Sequence, residues 1–401
     1  MLRSSVIILC LCSTAAAADW PQWRGPNRDG ISQETGLLQG WPRGGPKQVW
    51  KAQGLGEGYS SAAVVGNRLY TQGQQGGRQF VIALDVATGK QVWKTPTGNR
   101  LDNDRGNGPR GTPTVDGKRL YAIASDGTLA CLETETGKPV WSVNFPQAFG
   151  GRAPNWAYSE SPLVEGGNVI VVPGGRGASI VALNKDTGAV VWRTQSDRAG
   201  YSSAVPFDAG GVRGLAVLTG EAAVGLNAKN GELLWRYTKV ANRTANIATP
   251  IVSRGHVFFS TDYGTGCALL KLTPEGGSVK ADEVYFNSDM RNHYTTSVLI
   301  GNTLYGFSSA ILTAMDFMTG QVKWRDRSVG KGNCIYADQR LYCMGQDGTA
   351  GLIEPSPEAY KEVSRFDIPK GDYPTWVPPV VANGRLYLRE QDNLYSFDIK
   401  R

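Results

Sequence analysis

The sequence predicts an all-β chain folded as an eight-bladed β-propeller, with four antiparallel strands per blade and an N-terminal strand closing the ring. The first observation behind this is a repeated element. Asp85-Val-Ala-Thr-Gly-Lys-Gln-Val-Trp93 returns as Glu133-Thr-Glu-Thr-Gly-Lys-Pro-Val-Trp141, Asn184-Lys-Asp-Thr-Gly-Ala-Val-Val-Trp192, Asn227-Ala-Lys-Asn-Gly-Glu-Leu-Leu-Trp235 and Asp316-Phe-Met-Thr-Gly-Gln-Val-Lys-Trp324. Copies recur about 40 to 50 residues apart, with one doubled gap between Trp235 and Trp324, the period of a propeller blade or solenoid unit. The second is composition: 51 glycines and 21 prolines supply turns, while 11 tryptophans and 16 tyrosines suit sheet packing. The third is length, because one closed array absorbs most of the 401 residues.

Within each unit the strands follow from turn chemistry. Val65-Gly66-Asn67-Arg68, Ile300-Gly301-Asn302-Thr303 and Ala382-Asn383-Gly384-Arg385 place Gly and Asn where two-residue hairpins need left-handed backbone. Second strands such as Arg68-Leu-Tyr-Thr71 and Arg385-Leu-Tyr-Leu388 follow. A turn such as Ser125-Asp126-Gly127-Thr128 leads to the third strand, and the Thr-Gly turn delivers the tryptophan strand. Eight first strands are expected at Tyr59–Val65, Thr112–Val115, Ser159–Val164, Tyr201–Phe207, Ile247–Val252, Thr295–Ile300, Asn333–Ala337 and Val377–Ala382. In the fifth unit Tyr285 or Phe286 replaces the outer tryptophan after a longer link from Leu272 to Val279, and in the seventh Phe366 fills a comparable place. The eighth unit lacks a fourth strand, which Gln48-Val-Trp-Lys51 supplies. A blade shared between both ends of the chain removes open edges.

Ahead of the ring, Met1-Leu-Arg3, the apolar run Val6 to Leu11 and Ala15-Ala-Ala-Ala18 read as a secretory signal peptide over residues 1–18. The apolar stretch is short for a bilayer span, and Leu9 and Leu11 before Cys10 and Cys12 do not suit lipid attachment. No later segment has 18 uninterrupted apolar residues, so no transmembrane segment is expected and the protein is placed in the periplasm or outside the cell. Residues 19–47 form an extended strap in which Trp20, Trp23 and Trp41 pack against the propeller of residues 48–401. The formal charge of +7 falls to about +6 once Arg3 leaves with the leader. With no Lys-Arg runs and export expected, nucleic acid is not a partner.

The five Gly-x-x-x-Trp elements ending at Trp93, Trp141, Trp192, Trp235 and Trp324 resemble the quinoprotein-like β-propeller repeat family. The opening Trp20-Pro-Gln-Trp-Arg-Gly-Pro-Asn-Arg-Asp-Gly30 is similar to secreted propellers of that group. The resemblance implies two functions: non-enzymatic outer-membrane protein assembly, or pyrroloquinoline-quinone-dependent alcohol or sugar oxidation with calcium. The enzyme branch carries longer loops and adjacent cysteines against the quinone, and Cys131, Cys267, Cys334 and Cys343 include no adjacent pair. Asp102, Asp104, Asn155 and Glu160 offer oxygen ligands for calcium, but they are equally ordinary turn and surface groups. The reading adopted is a binding or scaffold protein without a cofactor; the alternative is a dehydrogenase with quinone and calcium. A carbohydrate-processing enzyme would need paired acids at the channel.

If Asp338-Gln339 is a two-residue turn, Cys334 faces Cys343 as a non-hydrogen-bonded pair, and either a disulfide or two buried thiols results. His256 reads as a hairpin residue, and His293 precedes a first strand. No histidine spacing defines zinc, and no nucleophile elbow is present.

Loops preceding the first strands of a propeller share one face near the channel. Here they carry Arg105, Arg110, Asn155, Trp156, Arg198, Arg243, Asn246, Arg291, His293, Lys331 and, beside Asp372, Trp376. Arginine offers a fork for carboxylate or phosphate and tryptophan a flat face. These residues are therefore expected to bind a cell-envelope protein, or an anionic small molecule or polymer. The competing structural reading has the arginines bonded to carbonyls of neighbouring blades and the tryptophans acting as lids over the core.

Overall fold

A computed structural model describes residues 18–401, so the leader reading falls almost wholly outside the described residues. The chain forms eight four-stranded antiparallel sheets. Every expected first strand forms, from Ala63–Val65 in blade 1 to Val380–Ala382 in blade 8. In most blades the hydrogen-bonded ladder begins about four residues later than the sequence suggests. The reason is that the preceding residues bond sideways: Tyr59 N donates to Pro109 O (2.9 Å) and Thr112 N to Ser161 Oγ (2.8 Å). Blade 8 is closed by Lys47–Ala52, which pairs antiparallel with Asn393–Asp398.

The repeated tryptophan joins blade to blade. Trp93 stands opposite Ala83, and its indole donates to the Thr134 carbonyl of the next blade at 2.9 Å. Trp50, Trp141, Trp192 and Trp324 make the same bond to Val86, Lys185, Ala228 and Ser356. The Thr-Gly turn of the next blade closes over the ring. Gly137 has φ +70°, and a Cβ there would lie 2.5 Å from the Trp93 ring, so both backbone and space demand glycine. Between blades 1 and 2 this arrangement buries Tyr70, Trp93, Leu120 and Leu132.

All eight outermost strands carry a register shift beside the tryptophan position. Such bulges twist an edge away from flat pairing, which protects a ring of exposed edge strands.

Blade 5 settles the choice there: Tyr285 takes the tryptophan position, and its hydroxyl donates to Phe317 O at 3.0 Å. The expected link from Leu272 to Val279 is itself β-structure, because Gly266–Glu275 and Ser278–Asn287 extend the hairpin. Blade 7 departs from expectation. Its register puts Ser364 at the tryptophan position and Phe366 two residues further along. The missing indole arrives from the strap: Trp41 packs 5.9 Å from Tyr342 and 5.1 Å from Phe366, as Trp93 packs 5.9 Å from Tyr70.

The strap does more than pack on the outside. Within residues 20–32 it crosses the channel and touches every blade. Trp20 bridges Val64 of blade 1, and Val115 N of blade 2 donates to Pro21 O. Arg28 donates to Ser161 O and Pro162 O of blade 3 and Ala204 O of blade 4. Trp23 reaches Thr249 of blade 5, and Arg24 donates to Thr296 O and Ser297 O of blade 6. Ser32 bonds Tyr336 O of blade 7 and Val381 O of blade 8. The channel is thereby plugged at one end.

Asp338 and Gln339 both take positive φ, and Cys334 faces Cys343 in the register expected. Both are buried free thiols in this structure, and burial pushes the Cys343 thiol up.

Candidate functional site: a donor-lined cup at the channel mouth

Above the plug lies a cavity of about 570 Å³. It is built by the propeller symmetry itself. Each blade places one pre-strand residue in its wall: Tyr59, Arg110, Ser159, Tyr201, Ile247, Tyr294, Lys331 and Trp376. Two residues further along, where alternation returns the side chain to the same face, Ser161, Ser203, Thr249, Thr296 and Pro378 form a lower tier. Loops add Arg105, Trp156, Tyr263 and His293 at the rim, and Trp23 of the strap is the floor, held by its indole bond to Thr249 Oγ1 (2.8 Å).

The aromatic groups are organised as an arc. Trp376 stacks between Tyr59 and Tyr294, each 5.2 Å away. The Arg110 guanidinium lies over Tyr59 at 5.1 Å, and Lys331 Nζ over Tyr294 at 5.4 Å, so a cation sits at each end of the arc. Tyr263 Oη and His293 Nε2 are 2.8 Å apart. Arg110 is fixed by bonds to Trp156 O (2.9 Å) and Gly106 O (2.8 Å), not by a carboxylate.

Cations predominate in the electrostatics of the cup. No Asp or Glu lines the cavity. Below it, Arg24 and Arg28 are buried and held by carbonyl oxygens; burial lowers them to about 10 and about 9, and both stay cationic at neutral pH. The carboxyl nearest Arg28 is Glu160, whose Oε1 accepts from Val172 N at 2.7 Å and which burial raises to about 8. It therefore brings little negative charge. Burial and Lys331 hold His293 down, to about 4, so it is a neutral imidazole. Burial also lowers Arg110 and Lys331, while it raises Tyr59 to about 12. Asp104 offsets Arg105 at the exposed rim and Asp262 acts on Lys331, but cations outnumber carboxylates around the cleft, and such an excess focuses potential that draws anions.

Of the eleven residues singled out from the sequence, Arg105, Arg110, Trp156, His293, Lys331 and Trp376 line the cup. Asn155 is exposed beside it, with its carbonyl accepting from Asn103. Arg198 is paired with Glu221 at 3.2 Å, Arg243 is exposed, and Arg291 is half-buried against Ser308. Asn246 is a buried brace donating to Thr219 O and Asn242 O. Sequence reasoning missed Trp23, Tyr59, Tyr201, Tyr263 and Tyr294. The signal for Tyr59 and Tyr201 was present, since each opens an expected first strand at the position Arg110 and Lys331 occupy in other blades.

The oxygen donors weighed for calcium do not converge. Asp102 pairs with Arg100 (2.7 Å), Asp104 with Arg105 (3.6 Å), and Glu160 turns to Val172. Among the described residues no group of three or more His, Cys, Asp or Glu side chains is placed to hold a metal, and no helix is long and apolar enough to cross a membrane.

Comparison with known proteins agrees with this architecture. Outer membrane protein assembly factor BamB of Salmonella typhimurium is 25% identical over 282 residues, 64% of this chain and 65% of the relative. The dehydrogenase subunit of a quinone alcohol dehydrogenase from Komagataeibacter europaeus is 38% identical over 124 residues, 28% of this chain but 16% of that protein. The matches thus span less than two thirds of these relatives. Among solved structures, BamB from Moraxella catarrhalis aligns with a TM-score of 0.63 at 16% identity, over 88% of this chain and 98% of that one. The quinohemoprotein alcohol dehydrogenase from Comamonas testosteroni aligns at 0.67 and 13% identity, over 94% and 80%. At such identities these likenesses show a shared fold. The family model described as outer membrane protein assembly factor BamB matches residues 42–144 and 77–326, more than half of the sequence, and the chain belongs to that family.

Proposed function

We propose that this chain is an exported, non-enzymatic binding propeller that captures an anionic ligand, either a small molecule or an acidic segment of a cell-envelope protein, in the cup at its channel mouth. The observation that carries this reading is the cavity lined by Arg105, Arg110 and Lys331, floored above buried Arg24 and Arg28, and free of lining carboxylates. The family match to an outer-membrane assembly factor supports a place in the cell envelope.

The dehydrogenase alternative asks for a quinone, a calcium ion and a carboxylate base. The residues present do not fit that set: Asp102, Asp104 and Glu160 are separately engaged, and the cup wall offers no carboxylate.

The test is titration of the purified full chain with benzoate and with phenol. Benzoate binding that weakens at least tenfold in an Arg110→Gln/Lys331→Gln variant of unchanged thermal midpoint supports capture of anions by the cup. Equal binding by the altered and unaltered chains would remove the assignment. Quinone absorbance and stoichiometric calcium in protein from its native host would favour the oxidoreductase.

A further inference from the structure

The lower tier of the cup has a property that its charge alone does not explain. Ser161 Oγ accepts from Thr112 N, Ser203 Oγ from Ser161 N, and Thr296 Oγ1 from Thr249 N; Thr249 Oγ1 accepts from the Trp23 indole. All four side chains are at least nine-tenths buried and line the cavity. Among the described residues, none of the four hydroxyls has an acceptor for its own proton. A hydroxyl whose oxygen already accepts one bond, with its O–H open, is set to donate. Blades 3 to 6 thus present an arc of four donors, between Arg110 on blade 2 and Lys331 on blade 7, which donate as well.

We infer that this tier is an oxyanion subsite that receives the tetrahedral head, a sulfate or phosphate monoester, of a ligand whose ring body lies along Tyr59, Trp376 and Tyr294. This deepens the proposed capture of anions and rests on it. Open O–H donors replace the water that a buried oxyanion gives up, so its oxygens are not left unsatisfied. Four donors spread over four consecutive blades match the three terminal oxygens of a tetrahedral head better than the two coplanar oxygens of a carboxylate. The aromatic arc, with cations at its ends, suits a ring attached to that head.

Calorimetric titration of the full-length protein with phenyl sulfate, phenyl phosphate, benzoate and phenol separates the possibilities. At pH 7 phenyl sulfate and phenyl phosphate should each bind about tenfold tighter than benzoate, with phenol weakest. Whichever of the two binds tighter identifies the head as sulfate or phosphate. Ser203→Ala should weaken phenyl sulfate about tenfold while leaving phenol unchanged, the loss of one hydrogen bond to a charged group. The ranking of the four ligands needs no variant and stands if Ser203→Ala fails to fold. Benzoate binding as tightly as both tetrahedral anions, with phenol weaker, would overturn the inference and leave the capture of anions standing. Phenol matching the anions, or no binding by any of the four, would remove both.

Discussion

The Trp23 indole donates to the Thr249 hydroxyl at 2.8 Å across 226 residues of sequence, and this bond makes the N-terminal strap the floor of the channel cup. A segment whose proline and glycine content forbids regular structure is ordered by bonds to all eight blades. The strap and the ligand site are therefore one structure.

Replacing Trp23 by alanine should open the cup into the channel below while the ring stays folded. The half-buried indole contributes about 1–3 kcal/mol by burial, so the thermal midpoint should fall modestly. Ligand affinity should fall more than stability. Unchanged binding in a folded Trp23→Ala protein would show that the floor lies elsewhere.

Trp41 substitutes for the tryptophan that blade 7 lacks, filling the space beside Tyr342 and Phe366. Trp41→Ala should cost about 3–5 kcal/mol in urea unfolding, comparable to Trp50→Ala on a closing strand. A loss below about 1 kcal/mol would mean the strap merely rests on the blade.

Glu160 has its folded-state pKa raised from 4.5 to about 8 by burial. Its contribution is complete below pH 4.5 and is lost as pH rises toward 8, because the folded state then holds the proton more tightly. His293 acts oppositely: with its pKa lowered from 6.5 to about 4, it costs stability as pH falls through that window. Above pH 6.5 only Glu160 should still titrate of the two. Glu160→Gln should accordingly raise the thermal midpoint at pH 8 and leave it unchanged at pH 4.5. A fall at pH 8 would instead show an ionised Glu160 paired with Arg28.

The sequence made the blades readable because their turns are local: Thr-Gly before Trp93 and Gly-Asn before Arg68 dictate hairpins without tertiary help. Ser364 was not readable as the blade 7 position, because Pro355 to Lys361 lacks the Thr-Gly turn and the spacing to Phe366 shifts by two. The plug was equally hidden, since Arg24 and Arg28 bind main-chain carbonyls that no side-chain pattern marks. Within the site, Arg110, Lys331 and Trp376 were legible from their equivalent pre-strand places. Arg198 and Arg291 precede the wall positions Tyr201 and Tyr294, and local partners, Glu221 and Ser308, hold them outside the cavity lining. Tyr59 and Tyr201 open their expected strands, and only their equivalence to Arg110 and Lys331 in other blades marks them as wall residues.

The claim that this channel mouth is a cationic cup is tested most directly by quenching of intrinsic tryptophan fluorescence with iodide and with caesium. Trp23 and Trp376 line the cavity between Arg110 and Lys331, so iodide should quench more efficiently than caesium, and Arg110→Gln/Lys331→Gln should remove most of that difference. Equal quenching by the two ions in the unaltered chain, or an iodide preference untouched by the double substitution, would contradict the account.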